Sequence, residues 1–207
     1  MSNALLAQAL QKNAISLPDA SQKKLLHYVE LLQTWNRVFN LTTLVETQDI
    51  IYLHLIDSLV VSPYLEGKHL LDVGSGAGLP GIPLALLNPH QEWVLLDKNN
   101  KKTRFLTQVI AELDLKNVEI VHASALDFHP GFCFDSILTR AFGTIRLFVE
   151  ATKHLLCASG VFIAMKGHYP QKELEEIPPP CFVQDVIRLN LKGVDVERHV
   201  ARLRIKD

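Results

Sequence analysis

Between Leu70 and Gly81 the chain reads Leu-Leu-Asp-Val-Gly-Ser-Gly-Ala-Gly-Leu-Pro-Gly, a glycine-rich turn after a short apolar run. Glycines at this spacing let a backbone turn tightly and approach a ligand without side chains in the way. Two registers fit. Gly76, Gly78 and Gly81 satisfy G-x-G-x-x-G, the dinucleotide pattern, whereas Gly74, Gly76 and Gly78 satisfy G-x-G-x-G with Asp72 just upstream. The second register suits S-adenosylmethionine better. Asp72 would repel a pyrophosphate but can hold the ammonium of a methionine moiety, directly or through water. Pro80 and Pro83 also remove amide donors that a pyrophosphate would use. Asp97, about 20 residues on, closes the next apolar run, where a carboxylate accepts from ribose hydroxyls in either case.

Other groups with chemical potential are scattered. His54, Asp57 and Ser58 fall at spacings of three and four, on one face of a helix. A hydrolase triad brings nucleophile and base face to face from separate elements, so three residues on one helix face do not make one. They read instead as a polar seam between an N-terminal extension and the main domain, with substrate contact as the alternative. Lys98, Lys101, Lys102 and Arg104 are the densest basic run. Such a run is either a solvated helix face or, beside a cofactor edge, a contact for RNA phosphates. Arg140, Arg146, Arg198, Arg202 and Arg204 are further cationic candidates. Arg140 and Lys166 come just after apolar runs, at the edge of a sheet where ligands bind.

These residues need elements to position them. Ser16, Pro18 and Asp19 make a helix start, and Leu25, Val29, Leu32 and Trp35 continue on one stripe widened by Tyr28, Leu31 and Val38. A further helix is expected from Thr47, with Ile51, Leu55 and Leu59 on one face, ending before Pro63. From Lys68 the period changes. Apolar runs at 69–73, 93–96, 118–121, 134–138 and 160–165 alternate with helical lengths, which predicts a parallel sheet covered on both faces. The segments 182–189 and 199–205 lack room for a crossover helix between them, so the last strand should run antiparallel. The expected division is residues 1–66 as a helical extension and 67–207 as an α/β domain.

The chain has 207 residues, 48% hydrophobic and 21% charged, enough to bury a substantial core. A formal charge of −1 excludes a protein that coats nucleic acid by bulk charge, so any such site must be a local patch. Residues 1–66 carry four basic and six acidic residues, a net −2 and a poor sole anchor for RNA. Cys133, Cys157 and Cys181 are odd in number and widely spaced. They suggest reduced thiols in a cytosolic protein, with neither a disulfide framework nor a zinc site. No apolar run approaches the roughly 18 to 20 residues of a membrane span, and no signal-like start is present, so a soluble, unexported protein is expected.

The run Asp72 to Pro83 is accompanied by Trp35-Asn36, Asn40-Leu41-Thr42, His54 with Asp57-Ser58, Lys101-Lys102 with Arg104-Phe105-Leu106, Arg140-Ala141 and Lys166-Gly167. Together these resemble the bacterial RsmG family, also called GidB, from about Leu25 to the C-terminus. The resemblance implies a class I S-adenosylmethionine-dependent methyltransferase with a Rossmann-like fold: a mostly parallel seven-stranded sheet, an antiparallel last strand and an N-terminal helical extension. It implies methylation of N7 of a guanine in a loop of 16S ribosomal RNA, on the RNA or on a small-subunit particle, by a cytoplasmic monomer. It places Gly74, Gly76 and Leu79 at the cofactor loop, Asp97 at the ribose, and Ala125 and Leu126 at the adenine through backbone amides. Leu126 stands where an acid is frequent in the family, and Lys98 replaces a small residue. Arg140 is marked as the catalytic candidate, touching cofactor or substrate; Lys101, Lys102, Arg104 and Lys166 are candidates for RNA. Competing readings are a methyltransferase for a small molecule or protein, and a nicotinamide-binding domain without transferase activity.

Overall fold

The computed structural model describes Ser2 to Lys206. Helix α1 (Ser2–Lys12) buries Leu6, Ala9 and Leu10. Helix α2 (Asp19–Phe39) starts after Pro18, buries Leu25, Tyr28, Val29 and Leu32, and ends at Asn40, whose left-handed φ of 50° lets its N–H reach the Asn36 carbonyl. Val38, expected in the apolar stripe, is 71% exposed. At about 100° per residue it has turned about 140° away from Leu25, off the packed face.

The helix expected from Thr47 is not regular. It comprises α3 (Thr47–Ile50), a π-helical turn (Ile51–Ile56) and α4 (Asp57–Leu59), before a 3-10 turn at Ser62–Tyr64. Ile51, Leu55 and Leu59 are buried as expected.

Seven strands form one sheet: β1 (His69–Val73), β2 (Glu92–Asp97), β3 (Val118–His122), β4 (Phe134–Arg140), β5 (Leu156–Lys166), β6 (Cys181–Leu189) and β7 (Arg198–Ile205). Their order is β3-β2-β1-β4-β5-β7-β6. Strands β1 to β5 pair in parallel, with Leu71 opposite both Val94 and Ile137. Strand β7 is antiparallel to β5 and to β6, as the short connection requires. The chain order reverses between β1 and β4, which opens a crevice at their carboxyl ends.

Helices α5 (Gly81–Leu87), α6 (Asn100–Glu112), α7 (Ile145–Thr152) and α8 (Gln171–Glu175) complete the fold. Alternate strand residues feed two cores. Leu70, Trp93, Leu95 and Ile163 pack with α5, α6 and the helices that precede β1. Leu71, Val94, Ile137 and Phe162 pack under α7 through Phe148. The extension is thus fused to one face of the sheet by a continuous apolar cluster. Among the described residues, no helix is long and apolar enough to cross a membrane.

The expectation of three reduced thiols is corrected. Cys133 and Cys157 form a disulfide with Cα atoms 5.0 Å apart. Strands β4 and β5 begin side by side, with Phe134 opposite Leu156, and this brings together two residues separated by a whole crossover. Cys181 keeps its thiol, which burial pushes up to about 11.

Candidate functional site

The glycine turn sits at the carboxyl end of β1. Gly74, Gly76 and Gly78 have φ values of +70°, +59° and +89°, a conformation in which side chains are strained. Six amides of the turn are already engaged. Gly74 and Ser75 donate to the Leu96 carbonyl, Gly78 and Leu79 to the Ser75 carbonyl, Gly76 to Asp97 Oδ2 and Gly81 to Asp72 Oδ2. A pyrophosphate cradle needs such amides free, so these six are not offered to a dinucleotide. Leu79 is buried in the core and shapes the turn from beneath.

Beside the turn lies a cavity of about 440 Å³, walled by Gly74, Asp97, Ala125 and the loop after β4, with Lys98, Lys102 and Leu126 along it. Asp97 is held rigid: Oδ2 accepts from Gly76 N–H at 2.9 Å and Oδ1 from Asn99 N–H at 2.8 Å. Each carboxylate oxygen retains acceptor capacity for a hydroxyl donor. Ala125 is buried, whereas the Leu126 side chain is 63% exposed and its N–H rests on Ser124 Oγ at 3.3 Å. Phe142, which no sequence pattern picked out, lines the same cavity and packs 3.1 Å from where a Cβ on Gly74 would lie.

Beneath the turn Asp72 is wholly buried. Its Oδ2 accepts from Gly81 N–H at 3.0 Å, while Oδ1 has no hydrogen-bond partner. Burial pushes this carboxyl up to about 7, against the pull of the Gly81 amide and Arg140. A buried oxygen left without a donor is rare in a folded protein and marks this carboxyl as held for more than packing.

Arg140 does not line that cavity. Its side chain belongs to a second hollow, of about 540 Å³, walled by His54, Asp57, Lys166 and Arg198. Asp57, almost fully buried, gathers both arginines: Arg198 Nε donates to Oδ1 at 2.9 Å, and Arg140 Nη1 approaches Oδ2 at 3.4 Å. Burial raises the Asp57 carboxyl in spite of these cations. Arg198 stood in the sequence only among several basic residues; its pairing with Asp57 spans 141 positions and left no local signal.

The seam expected from His54, Asp57 and Ser58 is present and reaches further than those residues. His54 Nε2 lies 2.7 Å from Thr42 Oγ1, and Thr42 N–H donates to Asn36 Oδ1 at 2.9 Å. His54 Nδ1 lies 3.1 Å from the Leu53 carbonyl. Burial, reinforced by Arg140, lowers His54 to about 4, so the ring is neutral at pH 7. Ser58 Oγ donates to the His54 carbonyl at 2.6 Å and not to its ring, which removes any nucleophile-base pair.

The basic candidates separate. Lys101 and Arg104 are exposed on α6, whereas the half-exposed Lys102 leans along the cavity, Nζ 3.8 Å from Asp97 Oδ2. Lys166 is engaged within the protein: Nζ donates to the Gly143 carbonyl at 2.9 Å and to Glu173 Oε2 at 2.8 Å. Glu173 Oε2 also accepts from Ile145 N–H, so Lys166 pins the loop between β4 and α7. Within that loop Ala141, at φ +65°, walls both the cofactor-sized cavity and the arginine hollow.

A family model described as rRNA small subunit methyltransferase G, GidB, matches residues 21–201. Ribosomal RNA small subunit methyltransferase G of Laribacter hongkongensis is 43% identical over 97% of both chains. The protein of that name from Nitrosococcus oceani is 42% identical over 97% of this chain and 94% of its own. An S-adenosylmethionine-dependent methyltransferase from Aquifex aeolicus superposes with a TM-score of 0.59 at 18% identity, over 76% of this chain and 93% of the other. M. jannaschii TYW2 in complex with AdoMet gives 0.56 at 19%, over 73% and 75%. These two likenesses concern the fold.

Proposed function

From the premise that the chain belongs to the GidB family of rRNA small subunit methyltransferases, we propose that it transfers a methyl group from S-adenosylmethionine to N7 of a guanine in a loop of 16S ribosomal RNA. The observation that carries this reading is the shared wall at Ala141. It sets a cofactor-sized cavity against a hollow whose walls include three cationic side chains and one fully engaged carboxylate.

S-adenosylmethionine, when bound, supplies an electrophilic methyl on a sulfonium. The residues that would hold it fit. Asp97 would accept from ribose hydroxyls, and the adenine would lie along Ala125 and Leu126. Asp72, buried beneath the turn, would act on the positive end of the methionine moiety through its charge. Lys102, on the same cavity wall, sets a positive charge beside the Asp97 carboxylate.

On the acceptor side N7 carries an in-plane lone pair and no hydrogen, so no base has to remove a proton. Alignment and electrostatics do the work. Arg140 has guanidinium donors beyond those facing Asp57 and can donate to guanine O6, leaving N7 free toward the methyl. Asp57 fixes the headings of Arg140 and Arg198; Lys166 fixes the loop that separates the hollows. N7 in an A-form duplex lies in a deep, narrow groove, so the target base is unstacked or in a loop. The substrate is small-subunit RNA, naked or partly assembled.

The test is incubation with radiolabelled S-adenosylmethionine and small-subunit RNA, then nuclease digestion and identification of the labelled nucleoside. Label in 7-methylguanosine, lost in Arg140→Ala and Gly74→Val, is the expected result. Cofactor binding without transfer to any RNA, free or in subunits, would refute the substrate.

A further inference from the structure

The extension carries a third depression, a groove of about 930 Å³ formed by the last turns of α2 and the loop after it. We propose that this groove holds the single-stranded RNA flanking the target guanine, so that the extension supplies half of the substrate site; this rests on the RNA methyltransferase reading above.

Continuity is the first argument. Thr43 walls both the groove and the arginine hollow, and Ala141 walls both the hollow and the cofactor cavity. The three depressions therefore adjoin in series, from the extension to the cofactor cavity. A strand lying in the groove delivers its next base into the hollow and toward the methyl donor.

The second argument is chemical. The polar lining consists of amides, hydroxyls and the guanidinium of Arg37, with no carboxylate among the lining residues. Arg37 is one of only four basic residues in positions 1–66, and it stands in the groove. An extension of net negative charge cannot hold RNA by coating it. A track of uncharged donors and acceptors with one cation suits phosphates and 2′-hydroxyls, which are bound by hydrogen bonds from such side chains.

The third argument is rigidity. Gln33 Nε2 donates to the Val45 carbonyl at 3.2 Å and to Thr47 Oγ1 at 3.1 Å, which holds the loop against the helix. The floor at Asn36 and Thr42 is bonded through to His54 in the hollow. Arg37, Asn40 and Thr43 remain exposed along it. A groove already ordered loses little on binding.

Binding of a labelled single-stranded fragment of small-subunit RNA, measured by anisotropy across salt, is compared between the wild type and an Arg37→Gln/Thr43→Val double variant, alongside methylation kinetics. The expected result is roughly tenfold weaker binding, a salt slope lower by about one, and a matching rise in KM for RNA at wild-type cofactor affinity. Equal binding and slope in the two proteins overturns the groove. A defect confined to assembled subunits, with free RNA bound normally, assigns the groove to a ribosomal protein and overturns it too. If the wild type binds the fragment and the variant does not, yet neither methylates it, the groove stands and the catalytic reading fails.

Discussion

Tyr28 Oη donates to the carbonyl of Ala77 across 2.7 Å, which joins the long helix of the extension to the middle of the cofactor turn through a wholly buried side chain. Tyr28→Phe keeps the ring and removes the donor, leaving a buried carbonyl unpaired. Stability should fall by about 1–3 kcal/mol in urea unfolding. Cofactor affinity should fall with it because the turn loses its anchor. A variant with wild-type affinity would mean that the turn holds its shape without the extension.

Two glycines of the turn answer to different constraints. A Cβ at Gly76 meets Gly74 O only at 3.8 Å, so Gly76→Ala incurs backbone strain at φ +59° alone, about 1–2 kcal/mol. At Gly78 the same atom falls 2.6 Å from Ile82 Cγ1 and 2.8 Å from Leu106 Cδ2. Gly78→Ala adds overpacking to strain and should cost about 2–5 kcal/mol in all. Calorimetry of the two variants should rank them in that order.

Asp72 sets a pH dependence with a definite sign. Its folded carboxyl lies near 7, above the ordinary 3.8. The raised value favours the folded state at low pH, and that advantage is lost as pH climbs from about 4 to about 7. A positive charge held above the turn is favoured by the ionised form, so S-adenosylmethionine affinity should weaken as pH falls below about 7. Calorimetric titration from about pH 5.5 to about 8.5 would show this, and Asp72→Asn should flatten the profile. A wild-type affinity independent of pH would exclude Asp72 from the cofactor contact.

The Cys133–Cys157 bond closes a loop spanning 24 positions at the amino ends of β4 and β5, on the opposite edge from the cofactor. Chain entropy assigns such a closure about 3 kcal/mol. Reduction, or the Cys133→Ser/Cys157→Ser pair, should lower Tm without changing cofactor affinity. A change in affinity at constant stability would show that the two edges communicate.

Legibility in the sequence tracks the range of the contacts. Apolar runs marked the strands because both faces of the sheet are covered, and β1 begins and ends where the run does. The cofactor turn was legible because its glycines are neighbours in the chain. Lys166 could not be read, since its partner Glu173 lies across a loop and its charge looked free. Lys102 and Lys101 are adjacent in sequence, and only helix geometry sends one along the cavity and the other to solvent. Cys133 and Cys157 meet because of strand order, which spacing does not encode.

The π turn at Ile51–Ile56 puts a constraint of length on that stretch besides that of its buried side chains. It fits one more residue between α3 and α4 than α-helical winding needs for the same advance. Deleting a residue there would restore α spacing with α4 still in phase with α3, so Asp57 could keep Arg140 and Arg198. The residues inside the turn would be re-aimed, and His54 would move off Thr42. The surplus residue therefore serves the histidine seam rather than the buried carboxylate.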